Sequence, residues 1–274
     1  MLPMSLDPHS LMSPDFFAFS RHVVEADTAA GRFDTAHNRA AATRCLEQFS
    51  DKESLPLDTL SPEMMLRFKQ WLMENGRKES TSLLYLNQIS AIYNVAVKEG
   101  LAPRTRLLQG IRAVMPAKQT RKLLSEEELR RMRYADFSSS RPMSFARDMF
   151  LFSIYGRGIS FTDMAYIKKS DVQGEYLTYT SQTIGQPRIT IPWDEAMQEI
   201  ADRYPSSTTD YLLSIIKSDE DLLAHRDVKY VRENIVRGLK QIASHCHLSV
   251  IPSMYMVKDI YRNIVSNVCV SRII

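Results

Sequence analysis

Apolar residues recur at three- and four-residue spacing through most of the chain, and turn residues cut this pattern into segments. From Pro14 to Asp27 and from Thr35 to Phe49 the spacing predicts two helices, parted by AAGRFDTA, where Gly31 interrupts and Asp34 or Thr35 offers a cap. A third helix is expected from Ser61, with Pro62 in its first turn, to a stop at Gly76. A fourth begins near Ser80 or Thr81 and ends at Gly100. Together these predict a compact four-helix unit.

The stretch PRTRLLQGIRAVMPAKQTRK, residues 103–122, carries two prolines, a glycine and six basic residues with no sustained periodicity, as a connection between domains does. Beyond it, Ser125 and Glu128 form an S-x-x-E capping box that opens a new helical region. RPMSFARDMFLFSIYGRGIS then reads as a largely buried helix. Strand chemistry is confined to SDVQGEYLTYTSQTIGQPRITIPW: a turn at Gly174, an alternating run over Tyr176–Thr180, a turn at Gly185 and a return over Arg188–Ile191. DEAMQEIADRY, residues 218–245 and the segment after PSMYM return to helical spacing. The expected fold class is mainly α, with domains over 13–105 and 123–274, a basic linker over 106–122, and one small antiparallel sheet in the second domain.

Composition adds limits. At 274 residues the chain is long enough for two modest domains, and 44% hydrophobic with 24% charged residues is ordinary for a folded globular protein. Three scattered cysteines, Cys45, Cys246 and Cys269, fit neither a disulfide framework nor a zinc site, so a reducing cytoplasm is expected. No run is apolar enough for a membrane span, and the first residues lack the pattern of a secretory signal. The net charge of +3 says little, but its distribution says more. Between Lys98 and Arg133 ten Lys/Arg stand against four Glu, a footprint suited to phosphates and equally to a solvated linker and helix face.

Two strings invite chemistry. In YGRGISFTDM, Arg157 stands beside a glycine in an apolar run; its planar fork of donors suits a phosphate, although an ordinary surface arginine reads the same way. In SHCHLS, His245 and His247 suggest a metal, but a His-x-His pair without further ligands is usually polar loop, so no metal and no cofactor is expected.

The strings TAAGRFDTAHNRAAATRCLEQF and WLMENGRKESTSLLYLNQISAIYNVAVKEGL resemble the SAM-like core-binding domain of tyrosine recombinases, or phage integrases, of Bacteroides-type bacteria. FLFSIYGRGISFTDMAYIKKSDV, leading into EYLTYTSQTIGQPRITIPWDEAMQEIADRY, resembles the start of their catalytic domain. The resemblance runs from about residue 15 to about residue 264. It implies two domains clamped on a DNA duplex, other recombinase protomers as further partners, and a bacterial cytoplasmic setting. It also implies chemistry in which a tyrosine attacks a phosphodiester while arginines, a lysine and histidines stabilise the charge without metal or nucleotide.

Carried onto this chain, the family's first arginine is Arg157. Its hairpin lysine falls at Thr183, a poor proton donor; Lys168 and Lys169 read as solvated charge, and Arg188 as a weak substitute. The second box falls on YMVKD, where Tyr255 fits, Lys258 replaces an arginine and loses the bidentate fork, and Asp259 puts a carboxylate where the family has a histidine. No nucleophile is assigned: the segment that carries it in the family lies past Ile274, and Tyr255 and Tyr261 read as packing aromatics with hydroxyls at the surface. Phosphate contacts are expected from Arg157, Lys258, Lys118, Arg121 and Lys122, with Ser80 and Thr81 at a helix start as weaker ones. The expectation is a double-stranded DNA-binding relative of the recombinases that is defective in cleavage. The alternatives are a subunit that takes its tyrosine from another chain and a remnant without function.

Overall fold

The computed structural model describes residues 14–111, 122–182 and 187–268, with side chains as far as 266. The chain divides into two compact units, Met1–Lys118 and Gln119–Ile274, each with its own hydrophobic core. The expected linker is largely outside the described residues, as are Lys118, Arg121 and Thr183.

The described residues of the first unit form four α-helices: α1 (Phe16–Ala29), α2 (Phe33–Ser50), α3 (Pro62–Glu74) and α4 (Glu79–Lys98). Asp15 caps α1 by accepting the Ala18 N–H at 2.8 Å, and its other oxygen accepts the Leu55 N–H at 2.6 Å, which ties the α2–α3 connection to the start of α1. Phe16, Phe17, Leu46, Phe68 and Tyr93 are fully enclosed, and Tyr93 satisfies its hydroxyl on the Pro103 carbonyl. Two expected helix starts move. Gly31, at φ 72°, closes a tight turn in which the Arg32 N–H bonds the Asp27 carbonyl, so the chain re-enters helix at Phe33 and Asp34 lies in the first turn instead of capping it. α4 starts at Glu79, held by Lys69 at 2.9 Å, so Ser80 and Thr81 are its second and third residues.

The second unit contains α5 (Glu126–Tyr134), α6 (Arg141–Tyr155), α7 (Phe161–Tyr166), α8 (Glu195–Arg203), α9 (Asp221–His245) and α10 (Val257–Val268). The expected hairpin pairs β2 (Tyr176–Thr180) with β3 (Arg188–Pro192), and a two-residue strand, β1 (Val172–Gln173), completes an antiparallel sheet in the order β1-β2-β3. Leu177, Tyr179 and Ile191 face the core, while Thr178, Thr180, Arg188 and Thr190 face out, as the period-two pattern requires.

α6 and α9 form the centre of this unit. They approach at Gly238, where an added Cβ would lie 2.6 Å from the Ala146 Cβ and 3.0 Å from the Pro142 carbonyl oxygen. The Ser125–Glu128 capping box is present, and Glu128 also accepts the Ser249 N–H, joining α5 to the loop after α9. These N–H donors, that of Ser125 foremost, hold the Glu128 carboxyl down at about 2. SHCHLS is part of this joint: Cys246 is buried, His245 meets the Phe137 ring edge-on, and the His247 carbonyl accepts from Arg131. Lys169 is exposed, as a solvated charge is, and its Nζ also donates to the Ser206 and Thr209 carbonyls, closing the 206–209 turn.

Candidate nucleic-acid interface

The turn that carries Arg157 is built by the end of α6. Gly156 caps the helix, the Arg157 N–H returns to the Ile154 carbonyl at 3.0 Å, and the Gly158 N–H returns to that of Ser153 at 2.8 Å. This is a Schellman termination, whose residue after the cap takes the left-handed conformation and is usually glycine. Here that residue is Arg157, at φ 58°. The chain ends α1, α3, α4 and α9 with the same pair of bonds, and there the position holds Gly31, Gly76, Gly100 and His247, the last at φ 49°. Left-handed backbone costs a residue with a Cβ roughly 1–2 kcal/mol. An arginine in this place therefore costs stability that glycine would not, and its side chain is exposed.

Gly158 follows at φ 81°, and the first turn of α10 lies against it. A Cβ at Gly158 would come within 3.0 Å of the Lys258 Cα and 3.2 Å of its Cγ. The fold thus brings together two residues a hundred positions apart, Arg157 and Lys258, both exposed. Tyr255 stands one turn earlier and is 74% exposed, so it is not the packing aromatic expected from the sequence, whereas Tyr261 is half-buried. Asp259 pairs with Arg262 at 3.4 Å on the surface of α10, which offsets part of its charge.

From the same turn Ser160 caps α7, accepting the Asp163 N–H at 3.0 Å and donating its hydroxyl to Asp163 Oδ2 at 2.7 Å. The other oxygen of the buried Asp163 accepts the Gln182 N–H at 2.6 Å and the Ser181 hydroxyl at 3.1 Å. One carboxylate therefore fixes the hairpin end to the arginine turn. Tyr179 lies beside it; burial first, then the Asp163 charge, pushes its phenol up to about 12. Arg188, opposite Thr180 at the other side of the hairpin, faces outward. The structure also brings Arg232 of α9 to this region, its Nη2 donating to the Thr162 hydroxyl at 2.9 Å and its guanidinium lying 5.8 Å from the Phe161 ring centre. Sequence reasoning missed Asp163, which S-x-x-D in SFTD signals as a capping pair. It also missed Arg232, for which no local signal exists.

Lys122 is exposed at the start of the second unit, and Ser80 and Thr81 are in the first unit, exposed and half-buried. Among the described residues no group of three His, Cys, Asp or Glu side chains could hold a metal ion, and no helix is long and apolar enough to cross a membrane.

Residues 15–107 match the family model described as the phage integrase SAM-like domain. No curated protein matches the chain by sequence. Among solved structures, a lambda integrase fragment, a dimer bound to a COC' core site, aligns over 91% of this chain and 89% of its own length with a TM-score of 0.61 at 15% identity. A lambda integrase tetramer bound to a Holliday junction aligns over 96% and 78%, with a TM-score of 0.60 at 17% identity. A Tn1549 transposon integrase in complex with transposon right end DNA aligns over 95% and 88%, with a TM-score of 0.58 at 11% identity. Residues 15–107 in the first unit thus match a phage integrase SAM-like domain, and the chain shares its fold with the lambda integrase fragment.

Proposed function

We propose that this chain is a double-stranded DNA-binding protein of the tyrosine recombinase family, acting in integration and site-specific recombination of a mobile element of the Bacteroides type. The observation that carries the reading is the arginine kept at a left-handed helix end, with Lys258 seated on the next residue. A guanidinium and an ammonium presented together, and without a carboxylate partner among the described residues, suit a backbone phosphate. The DNA named with the solved relatives supports the same partner.

Strand cleavage by this chain alone is weak or absent in this reading. Thr183 offers no acid for the leaving oxygen, Lys258 gives one point charge where a fork would give two parallel bonds, and Asp259 sets a carboxylate beside it. Such groups act as a unit, so the remaining ones do not restore the rate. The nearness of Arg157 to Lys258 favours a second reading, in which a protomer with a complete set of groups supplies the tyrosine to a phosphate held here. A duplex carrying a nick beside the cleavage position, which traps the covalent product, separates the two. The expected result is binding without covalent product for the chain alone. Covalent product from the chain alone contradicts the proposed defect, and product only on mixing with an active relative selects the second reading.

A further inference from the structure

Arg232 is a half-buried guanidinium on α9, and its one hydrogen bond among the described residues is to a hydroxyl, that of Thr162. No carboxylate there pairs with it, although Asp27, Asp148 and Asp163 show that this chain gives its buried carboxylates close partners. A partly desolvated cation without a counter-charge is costly to keep unless a ligand brings the charge. Its place is informative. Thr162 and Phe161, which it touches, begin α7 directly after the Arg157–Ser160 turn, and Lys258 packs on Gly158 within that turn. Arg157 thus lies within one six-residue stretch, 157–162, that Arg232 of α9 and Lys258 of α10 both border. The Phe161 ring and the Thr162 hydroxyl hold the guanidinium in one orientation, and four of its five N–H donors remain for an anion.

Building on the DNA reading above, we infer that Arg232 is a third phosphate-holding residue of this site. It binds the sugar-phosphate backbone of the same duplex beside the phosphate taken by Arg157 and Lys258, and supplies the planar fork that Lys258 lacks. Thr162 is its positioning residue. The contact is to phosphate oxygens and carries no sequence information.

The test is a salt titration of full-length protein on a mixed-sequence DNA duplex, comparing wild type with Arg232→Ala, Arg232→Lys and Thr162→Val, each checked for an unchanged thermal melt. Arg232→Ala is expected to weaken binding roughly tenfold at moderate salt and to reduce the slope of log affinity against log salt by about 1. Arg232→Lys restores the slope but not the full affinity, because the charge returns without the fork. Thr162→Val keeps the slope and loses a few-fold in affinity. An Arg232→Ala protein that melts and binds as wild type with the same slope overturns the inference and leaves the DNA reading standing. Should Arg232→Ala fail to fold, Arg232→Lys decides: wild-type affinity there overturns the claim for the fork. A wild type that does not bind duplex at low salt overturns both.

Discussion

At the scale of single residues, Arg157 is where the proposed phosphate contact is set against stability. Glycine at this position would remove a left-handed cost of roughly 1–2 kcal/mol and add about 0.5–1 kcal/mol of unfolded-state entropy. Arg157→Gly is therefore expected to stabilise the second unit by roughly 0.5–1 kcal/mol in urea unfolding while it weakens duplex binding. Arg157→Ala, which keeps the left-handed Cβ, should weaken binding without that gain. A destabilised glycine variant would show that the guanidinium has a structural role the described contacts do not contain. The sequence made Arg157 visible through its neighbours in YGRGIS, but not its backbone conformation, because a Schellman end without glycine at its left-handed position leaves no compositional mark. Glu128 offers a second residue-scale test. Its carboxyl sits at about 2 in the folded protein against an ordinary 4.5. The stability it contributes is thus present above about pH 4.5 and is lost as pH falls toward about 2. Glu128→Gln should lower stability at neutral pH and flatten that part of the acid limb, as read by thermal melts at stepped pH.

At the scale of elements, the close crossing of α6 and α9 sets the position of everything at the end of α6, including the arginine turn. Gly238→Ala places a Cβ 2.6 Å from the Ala146 Cβ and is expected to cost about 1–3 kcal/mol. Adding Ala146→Gly should recover part of that cost, since the two sites share one gap, and additive losses would contradict the crossing. Asp163 has the corresponding role for the hairpin, because its carboxylate accepts from the Ser160 hydroxyl, the Ser181 hydroxyl and the Gln182 N–H. Helix existence was legible in the apolar spacing, as were the capping box at Ser125 and the hairpin strands. Helix starts moved where a Schellman turn or an ion pair decided the first residue, at Phe33 and Glu79. α7 was missed because six residues are too few to show a period, and β1 because two residues carry no alternation.

At the scale of the whole molecule, the division into two units follows from two separate cores, one closed around Phe68 and Tyr93 and the other around α6. The candidate site was only half legible in the sequence. Arg157 and Lys258 were named from strings, but their juxtaposition rests on Gly158, and Arg232 comes from a helix seventy positions beyond the turn it joins. The central claim is that this turn holds DNA by its phosphates. The most direct measurement is the salt dependence of duplex binding for wild type against an Arg157→Ala/Lys258→Ala pair. Affinity that falls steeply with salt in the wild type, with the slope reduced by about 2 in the pair, is the predicted result. A flat salt response, or a pair that binds with the wild-type slope, would contradict it.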